Sequence, residues 1–150
     1  DVNFVIEDCS ASVGFSIESD RFISQCDAIV LVIEPTVASV RDAARMRAKL
    51  QRINESSSLR IILVMNHTIP KKASTITTAD AEAFLKQKVD VEIPFCEQLP
   101  ARILDNERIA KTNLKAAKPL KALTSILLGQ DTKVKADKKS LFSFSLKKST

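Results

Sequence analysis

Three apolar runs, each closed by a polar residue, constrain the fold of this chain more than any other feature. The first run lies within residues 2–10 and is closed by Asp8. The second is 28–33 and is followed by Glu34, and the third is 60–66 and ends in Asn66. Continuous apolar runs of this length are typical of parallel strands buried on both faces. In open α/β sheets, ligands bind at the carboxyl edge of the strands. The three polar residues are therefore predicted to share one site, in which Asp8 would order Mg²⁺ or a water beside phosphates.

The segment between the second and third runs has helical periodicity. Thr36 is a suitable N-cap, and a helix is predicted to continue to about residue 54. One stripe of this helix is apolar and consists of Val40, Ala43, Ala44, Leu50 and Ile53. Strand, helix and strand in this order form a right-handed βαβ unit. The predicted fold class is a three-layer α/β domain with a mainly parallel sheet.

Further elements are predicted on both sides of this unit. A short helix is expected at residues 20–25, before the second run, and a longer one at 78–88. Residues 89–95 alternate apolar and polar side chains, which favours a short strand towards one edge of the sheet. Two more helices are predicted at 101–110 and 119–128, the second of them ended by Gly129.

Composition limits the classes of function. The 150 residues are 45% hydrophobic, enough for one domain with a core, and they contain no Tyr or Trp to stack bases. Of the net charge of +5, +4 falls within residues 130–150. The body therefore has no electrostatic footprint for nucleic acid, which is an unlikely partner. The three cysteines are widely spaced, which predicts neither a disulfide framework nor a zinc site but a reducing cytoplasm.

The beginning of the sequence suggests a longer protein. The chain does not start with Met, and it opens almost directly on a predicted buried strand, which needs neighbours on both sides. We therefore expect residues 1–129 to be the C-terminal part of a larger domain. Residues 130–150 are expected to form a basic, disordered tail.

The order and spacing of five segments carry a family resemblance. Residues 3–8 end in Asp, 25–36 join an apolar run to Glu-Pro-Thr, 62–66 end in Asn, 91–95 contain Ile-Pro-Phe, and 117–120 are Ala-Lys-Pro-Leu. This arrangement resembles the middle and later part of MinD/ParA-type P-loop ATPases, over about residues 2–128. The Glu-Pro-Thr segment is most similar to the TadZ/CpaE branch, whose members localise Flp/Tad pilus assembly.

The resemblance implies a role for four residues. Asp8 would match the acid that senses the γ-phosphate of ATP and contacts Mg²⁺ through water, the one catalytic and metal-linked position. Asn66 would match the residue that recognises adenine, and Pro94 and Phe95 would border the base. From the residues alone, Asp8 could equally cap a turn, and Asn66 could be a simple turn former. His67, the single histidine, has no Cys or His at ligand spacing and is not predicted to bind metal.

Two departures from the family pattern affect activity. Residues 9–12 are Cys-Ser-Ala-Ser where the family usually has Thr-Pro-Pro-Gly. The lysine-containing phosphate loop, which precedes the Asp8 strand in the family, is not in this sequence. Without it nothing holds the β- and γ-phosphates, so the full-length protein is expected to be an ATPase but this chain alone should be inactive.

The resemblance implies a cytoplasmic nucleotide switch that forms a homodimer on ATP binding and positions pilus or secretion machinery. One alternative is a degenerate scaffold that never hydrolyses nucleotide. Another is a DNA-partitioning ATPase that would use a basic row on the 37–54 helix, namely Arg41, Arg45, Lys49 and Arg52.

The tail has an apolar patch flanked by lysines. Its candidates for contact with a membrane surface or a partner are Leu141, Phe142, Phe144, Lys147 and Lys148. The apolar spacing is nearer two than 3.6, so the patch makes a poor amphipathic helix. A disordered end, peripheral contact with the inner face of a membrane, and nucleic-acid contact remain the alternatives.

Overall fold

The computed structural model of the protein describes residues 4–9, 23–54 and 59–130. Within these ranges the chain forms a parallel sheet with helices on both faces, as the sequence predicts. The predicted helix at 20–25 falls largely outside the described residues. The candidate contact residues of the tail, Leu141 to Lys148, lie outside them altogether.

The sheet has three strands in the order β1 (Ala28–Ile33), β2 (Arg60–Asn66) and β3 (Val91–Ile93). The first two have the predicted bounds and pair in parallel over their whole length, from Ala28 with Arg60 onward. The third is shorter than predicted. Its ladder is continued at the start by Asp90, whose carboxylate accepts the N–H of Leu63 at 2.8 Å, and Pro94 has no N–H with which to extend it.

Four α-helices lie wholly within the described residues: α1 (Val37–Asn54), α2 (Thr78–Leu85), α3 (Leu99–Leu104) and α4 (Ala117–Leu127). Thr36 caps α1 as predicted, because its hydroxyl accepts the N–H of Ser39 at 3.2 Å. Thr77 and Asp80 form a reciprocal capping box at the start of α2. Two short 3₁₀ turns occupy Lys71–Ala73 and Ile109–Lys111.

The ends of three helices are set by residues with positive φ. Lys86 (φ 50°) ends α2 at residue 85, three residues before the predicted end, and Asn106 (φ 55°) follows α3. The predicted helix at 101–110 is therefore wrong in part: α3 covers 99–104, and a 3₁₀ turn follows. Gly129 (φ 67°) ends α4 as predicted, and its neighbour Gln130 donates its N–H to the carbonyl of Ser125.

Alternate residues of the central strand β2 face opposite layers. Leu63 and Met65 pack against α1 and α2, in a cluster completed by Ile33, Val40, Ala43, Ala81 and Leu85. Ile62 and Val64 face the other way, towards a cluster formed by Val91, Ile93, Ala116 and the apolar side of α4. The buried members of the predicted α1 stripe are Val40, Ala43 and Leu50, with Ala44 and Ile53 partly buried. The α/β/α layering follows from this alternation.

Two arginines fasten helices to the rest of the domain. Arg47 of α1 donates to the carbonyl of Leu85, at the end of α2, and to the Gln87 side chain. Arg60, the first residue of β2, donates to the carbonyls of Ile126 and Leu127 at the end of α4. Each guanidinium thus bonds to carbonyls at the negative end of a helix, where the Ile126 carbonyl also accepts the N–H of Gly129.

The predicted first strand is wrong for the residues described. Residues 4–9 have no regular structure, and Phe4, Val5 and Ile6 are 58%, 95% and 87% exposed. The physical reason is the lack of a partner, since a parallel strand obtains its hydrogen bonds only from a neighbouring strand. No described residue pairs with this segment, so its apolar sequence alone does not place it in the sheet.

Candidate functional site

The carboxyl ends of β2 and β3 bring three of the four predicted site residues to one edge of the sheet. Asn66 is the last residue of β2 and pairs in register with Ile93, the last residue of β3. Pro94 and Phe95 follow directly, and all three predicted residues are partly exposed. The neighbouring strands therefore hold an amide beside an apolar Pro-Phe pair, as expected if these residues surround a flat ligand.

The Asn66 side chain makes no hydrogen bond with the residues that the structure describes. Its position beyond the last buried residue of the strand leaves the amide at the rim rather than in the core. A carboxamide carries both donors and an acceptor, so it can pair with a group that presents the complementary set. The geometry thus supplies a recognition group whose bonds are not already used within the described chain.

The end of β1 is tied to the same edge by backbone contacts. Pro35 is fully buried, and its carbonyl accepts the Thr75 hydroxyl at 3.2 Å. The N–H of Glu34 donates to the Ser39 hydroxyl in the first turn of α1. The Glu34 side chain is exposed. These contacts anchor the loop after β2 to the start of α1.

A histidine that sequence reasoning set aside lies directly beside Asn66. His67 is 6% exposed, its N–H continues the ladder to the carbonyl of Ile93, and its Nε2 lies 2.7 Å from Oε1 of Glu92. Nζ of Lys71 approaches the same carboxylate oxygen at 3.4 Å. The sequence signal was the period-2 alternation, which places His67 and Glu92 on the face of Leu63 and Met65. It becomes useful only when the strand register is known.

The surroundings of Glu92 keep it ionised. Burial raises the pKa of this carboxyl, but the hydrogen bond to His67 and the charge of Lys71 outweigh burial and hold the pKa below its ordinary value. The Thr78 hydroxyl also lowers this pKa, at a geometry short of a full hydrogen bond. Three buried polar atoms have no partner among the described residues: Nδ1 of His67, Oγ of Ser74 and Oγ1 of Thr78.

Asp8 is not brought to this edge as part of a strand. It is exposed within the irregular segment 4–9. Burial raises the pKa of the Cys26 thiol, and the nearby Cys9, Glu7 and Asp27 raise it further. Residues 7 and 9 are thus within electrostatic reach of Cys26, which precedes β1 at its amino end. A thiol with a raised pKa is not an activated nucleophile, and no disulfide joins Cys9, Cys26 and Cys96.

The residues at the edge fit one side of a MgATP site. Asn66, Pro94 and Phe95 offer the groups that a purine needs, a paired donor and acceptor beside apolar surface. Within the described ranges, however, no three His, Cys, Asp or Glu side chains gather where they could hold a metal ion. The lysine-containing phosphate loop is not in the sequence. The described edge therefore offers groups suited to a planar ring, and the described residues offer no cluster suited to a metal ion.

The basic row of α1 is electrostatically balanced at one end. Asp42 lies between Arg41 and Arg45, with 3.8 Å from its Oδ1 to a guanidinium nitrogen of each. These side chains are about 60% exposed, so they form a solvated helix face. Over the residues described, the structure contains no helix with both the length and the apolar character that a bilayer crossing requires.

Comparison with known proteins identifies relatives in structure only. The chain is similar to a chain of the MinC:MinD cell division protein complex of Aquifex aeolicus, with a TM-score of 0.65 and 21% identity over 78% of this chain. It is similar to MinD of the same organism, with a TM-score of 0.64 and 21% identity. It spans about half of either chain, 49% and 50%. No protein-family model and no curated protein matches the sequence. The described part has the fold of MinD-like P-loop NTPases.

Proposed function

We propose that this chain supplies the base-recognising side of an ATP site in a MinD/ParA-like nucleotide switch. The observation that carries the proposal is the meeting of Asn66, Pro94 and Phe95 at the carboxyl edge of β2 and β3, in a sheet with the MinD-like fold. Ligands bind at this edge in open α/β sheets. The Asn66 amide is half-buried and has no hydrogen-bond partner among the described residues, so its donors and acceptor are available to a ligand.

The chemistry of the edge favours adenine over guanine. An Asn amide can donate to a ring nitrogen and accept from an exocyclic amine, the pattern that adenine presents. Pro94 and Phe95 would cover the apolar face of the ring and exclude water from that pair of hydrogen bonds. Bound MgATP would supply the charge whose presence or loss defines the two states of a switch. Asp8 is proposed to report that state, through a water on Mg²⁺, to the loop that follows it.

The wider role that we propose is localisation of a pilus or secretion apparatus. Its support is the similarity of residues 25–36 to the TadZ/CpaE branch. In this proposal, ATP held between two copies of the full-length protein creates a surface for a partner protein, and loss of the γ-phosphate releases it. The MinC:MinD complex is an instance of this fold engaging another protein. The tail, residues 130–150, is proposed to assist at a membrane surface with roughly 1 kcal/mol per lysine.

The test is the affinity of the full-length protein for ATP and GTP, measured by calorimetry. Asn66→Ala is expected to weaken ATP binding about tenfold, the value of one hydrogen-bonding group of ~1.4 kcal/mol, and to leave GTP binding unchanged. The matched control is Gln51→Ala, because Gln51 is an exposed side-chain amide near the end of α1, on the side of the sheet where β2 begins. Equal affinity of Asn66→Ala and the wild type for ATP would remove the proposed role of this edge.

A second candidate is a scaffold that binds partners without hydrolysing nucleotide. The observation that favours it is the position of Asp8, exposed in an irregular segment rather than at the carboxyl edge. ATP-dependent dimerisation of the full-length protein, followed by light scattering, separates the two candidates. Under the switch proposal Asp8→Ala abolishes it. An unchanged dimer with Asp8→Ala, together with no measurable hydrolysis by the wild type, would establish the scaffold instead.

A further inference from the structure

We propose that the pair formed by buried His67 and exposed Glu92, with Lys71, is a positioning device that sets the Asn66 amide against Pro94 and Phe95 and so determines which base the edge accepts. This inference rests on the proposed nucleotide site. It assigns a task to three residues that lie next to that site and that base recognition itself does not use.

The pair joins the two strands that carry the recognition groups. His67 follows Asn66 directly, and Glu92 precedes Pro94 by two residues. Their 2.7 Å contact runs diagonally between the strands, from the residue after Asn66 to Glu92, which pairs in register with Met65. The His67 N–H also bonds to the Ile93 carbonyl at 2.9 Å. The end of β2 therefore cannot move away from β3 without breaking both bonds.

Alternation along the strand separates the device from the ligand. Successive side chains point to opposite faces, so Asn66 projects from the face opposite to that of His67. Likewise Glu92 lies opposite to the buried side chain of Ile93. The pair can thus hold the backbone from behind without occupying the space in front of Asn66. This is the geometry of a positioning residue and not of one that touches the ligand.

The two partners of Glu92 differ in how deeply they are buried. The His67 side chain is 5% exposed, whereas Lys71 is 76% exposed and reaches Glu92 from the solvent side at 3.4 Å. Glu92 is 38% exposed, and its Oε1 lies against both His67 and Lys71. A buried imidazole bonded to an ionised carboxylate is costly to separate, because each would lose a charge-assisted bond. The exposed Lys71 contributes less.

The unpartnered Nδ1 of His67 supports this assignment. A buried ring nitrogen without a partner carries a desolvation cost that the fold would avoid if His67 only filled space. An aliphatic residue at position 67 would fill the same space without that cost. The imidazole instead bonds to Glu92 through Nε2, which is expected if this bond is what makes a histidine useful at position 67.

The experiment measures the ratio of ATP to GTP affinity in the full-length protein. His67→Ala is expected to weaken ATP binding by roughly tenfold and to lower the ratio by the same factor, while GTP binding changes little. His67→Gln can still donate to Glu92 and should restore most of the ratio. Lys88→Ala is the matched control, since it breaks a 2.7 Å ion pair with Glu82 away from the edge. A purely structural role would lower both affinities together.

Hydrogen exchange provides a second readout that needs no nucleotide. In His67→Ala the amides of residues 66–77 should exchange faster than in the wild type and in His67→Gln. Unchanged exchange in His67→Ala, or an intact ATP-to-GTP ratio, overturns the positioning role and leaves the proposed function standing. A wild-type protein that binds neither nucleotide overturns the proposed function, and the base-selecting role with it.

Discussion

Strand β2 and residues 4–9 have similar apolar sequences, but β2 is buried in the sheet and residues 4–9 are exposed. In β2 the side chains of Leu63, Val64 and Met65 are at most 1% exposed, whereas Val5 and Ile6 are 95% and 87% exposed. β2 has a strand on each side and bonds to both, and residues 4–9 pair with no described residue. The difference teaches that an apolar run indicates the ability to be a strand. Partners on the sheet decide whether it becomes one.

The largest expected effect comes from truncating a buried side chain of β2. Leu63→Ala removes a side chain of 0% exposure from the cluster between β2, α1 and α2, and should lower the free energy of unfolding by ~2–5 kcal/mol. Val5→Ala should change it by less than about 0.5 kcal/mol. Urea denaturation followed by circular dichroism measures both. A Val5→Ala loss comparable to that of Leu63→Ala would show that residues 4–9 pack in solution.

A smaller effect is expected from removing the Asp90 side chain, which joins the start of β3 to β2. Asp90→Ala removes the acceptor of the Leu63 N–H, a part-buried bond of 2.8 Å, and should destabilise the protein by ~1–3 kcal/mol. Asp90→Asn keeps an acceptor oxygen and should recover most of this loss, as measured by the same denaturation experiment. If Asp90→Asn were as unstable as Asp90→Ala, the charge of Asp90 rather than the hydrogen bond would support β3.

The smallest effect concerns how the stability of the protein depends on pH through Glu92. Because the pKa of Glu92 is lowered on folding from an ordinary value of 4.5, its contribution is present above that value and is lost as the pH falls through the lowered pKa. Glu92→Gln should therefore reduce the amount of stability that is lost as the pH falls below 4.5, by less than ~1 kcal/mol because the group is partly exposed. Thermal melts across this range measure it. Identical pH profiles for Glu92→Gln and the wild type would contradict the ionised pair.

The parts of the fold that the sequence predicted are those with local causes. The bounds of β1 and β2 follow from their apolar runs, α1 from its stripe and its Thr36 cap, and the end of α4 from Gly129. The errors have non-local or weakly coded causes. The left-handed conformation of Asn106 ended α3 early, and the first predicted strand needed a neighbour that its own residues do not encode.

The residues of the candidate site also differ in whether the sequence predicts them. Asn66 was predicted because it stands at the end of an apolar run, where the edge of a parallel sheet must lie, whereas Pro94 and Phe95 were predicted only from the resemblance to MinD/ParA-type ATPases. The His67–Glu92 pair was missed because its two residues are 25 apart and meet only through the register of β2 with β3. Their alternation was visible in the sequence, but nothing local indicated which strands would be adjacent.

The two bonds from Arg60 to the end of α4 also bear on how the chain is made. They join residues up to 67 positions apart, and α4 covers the sheet face that carries Ile62 and Val64. At a synthesis rate of roughly 5–20 residues per second, about 3–13 s pass between the emergence of β2 and that of its cover. During that interval the nascent chain presents an uncovered apolar face, so its yield in cells should depend on chaperones that shield such surfaces during translation.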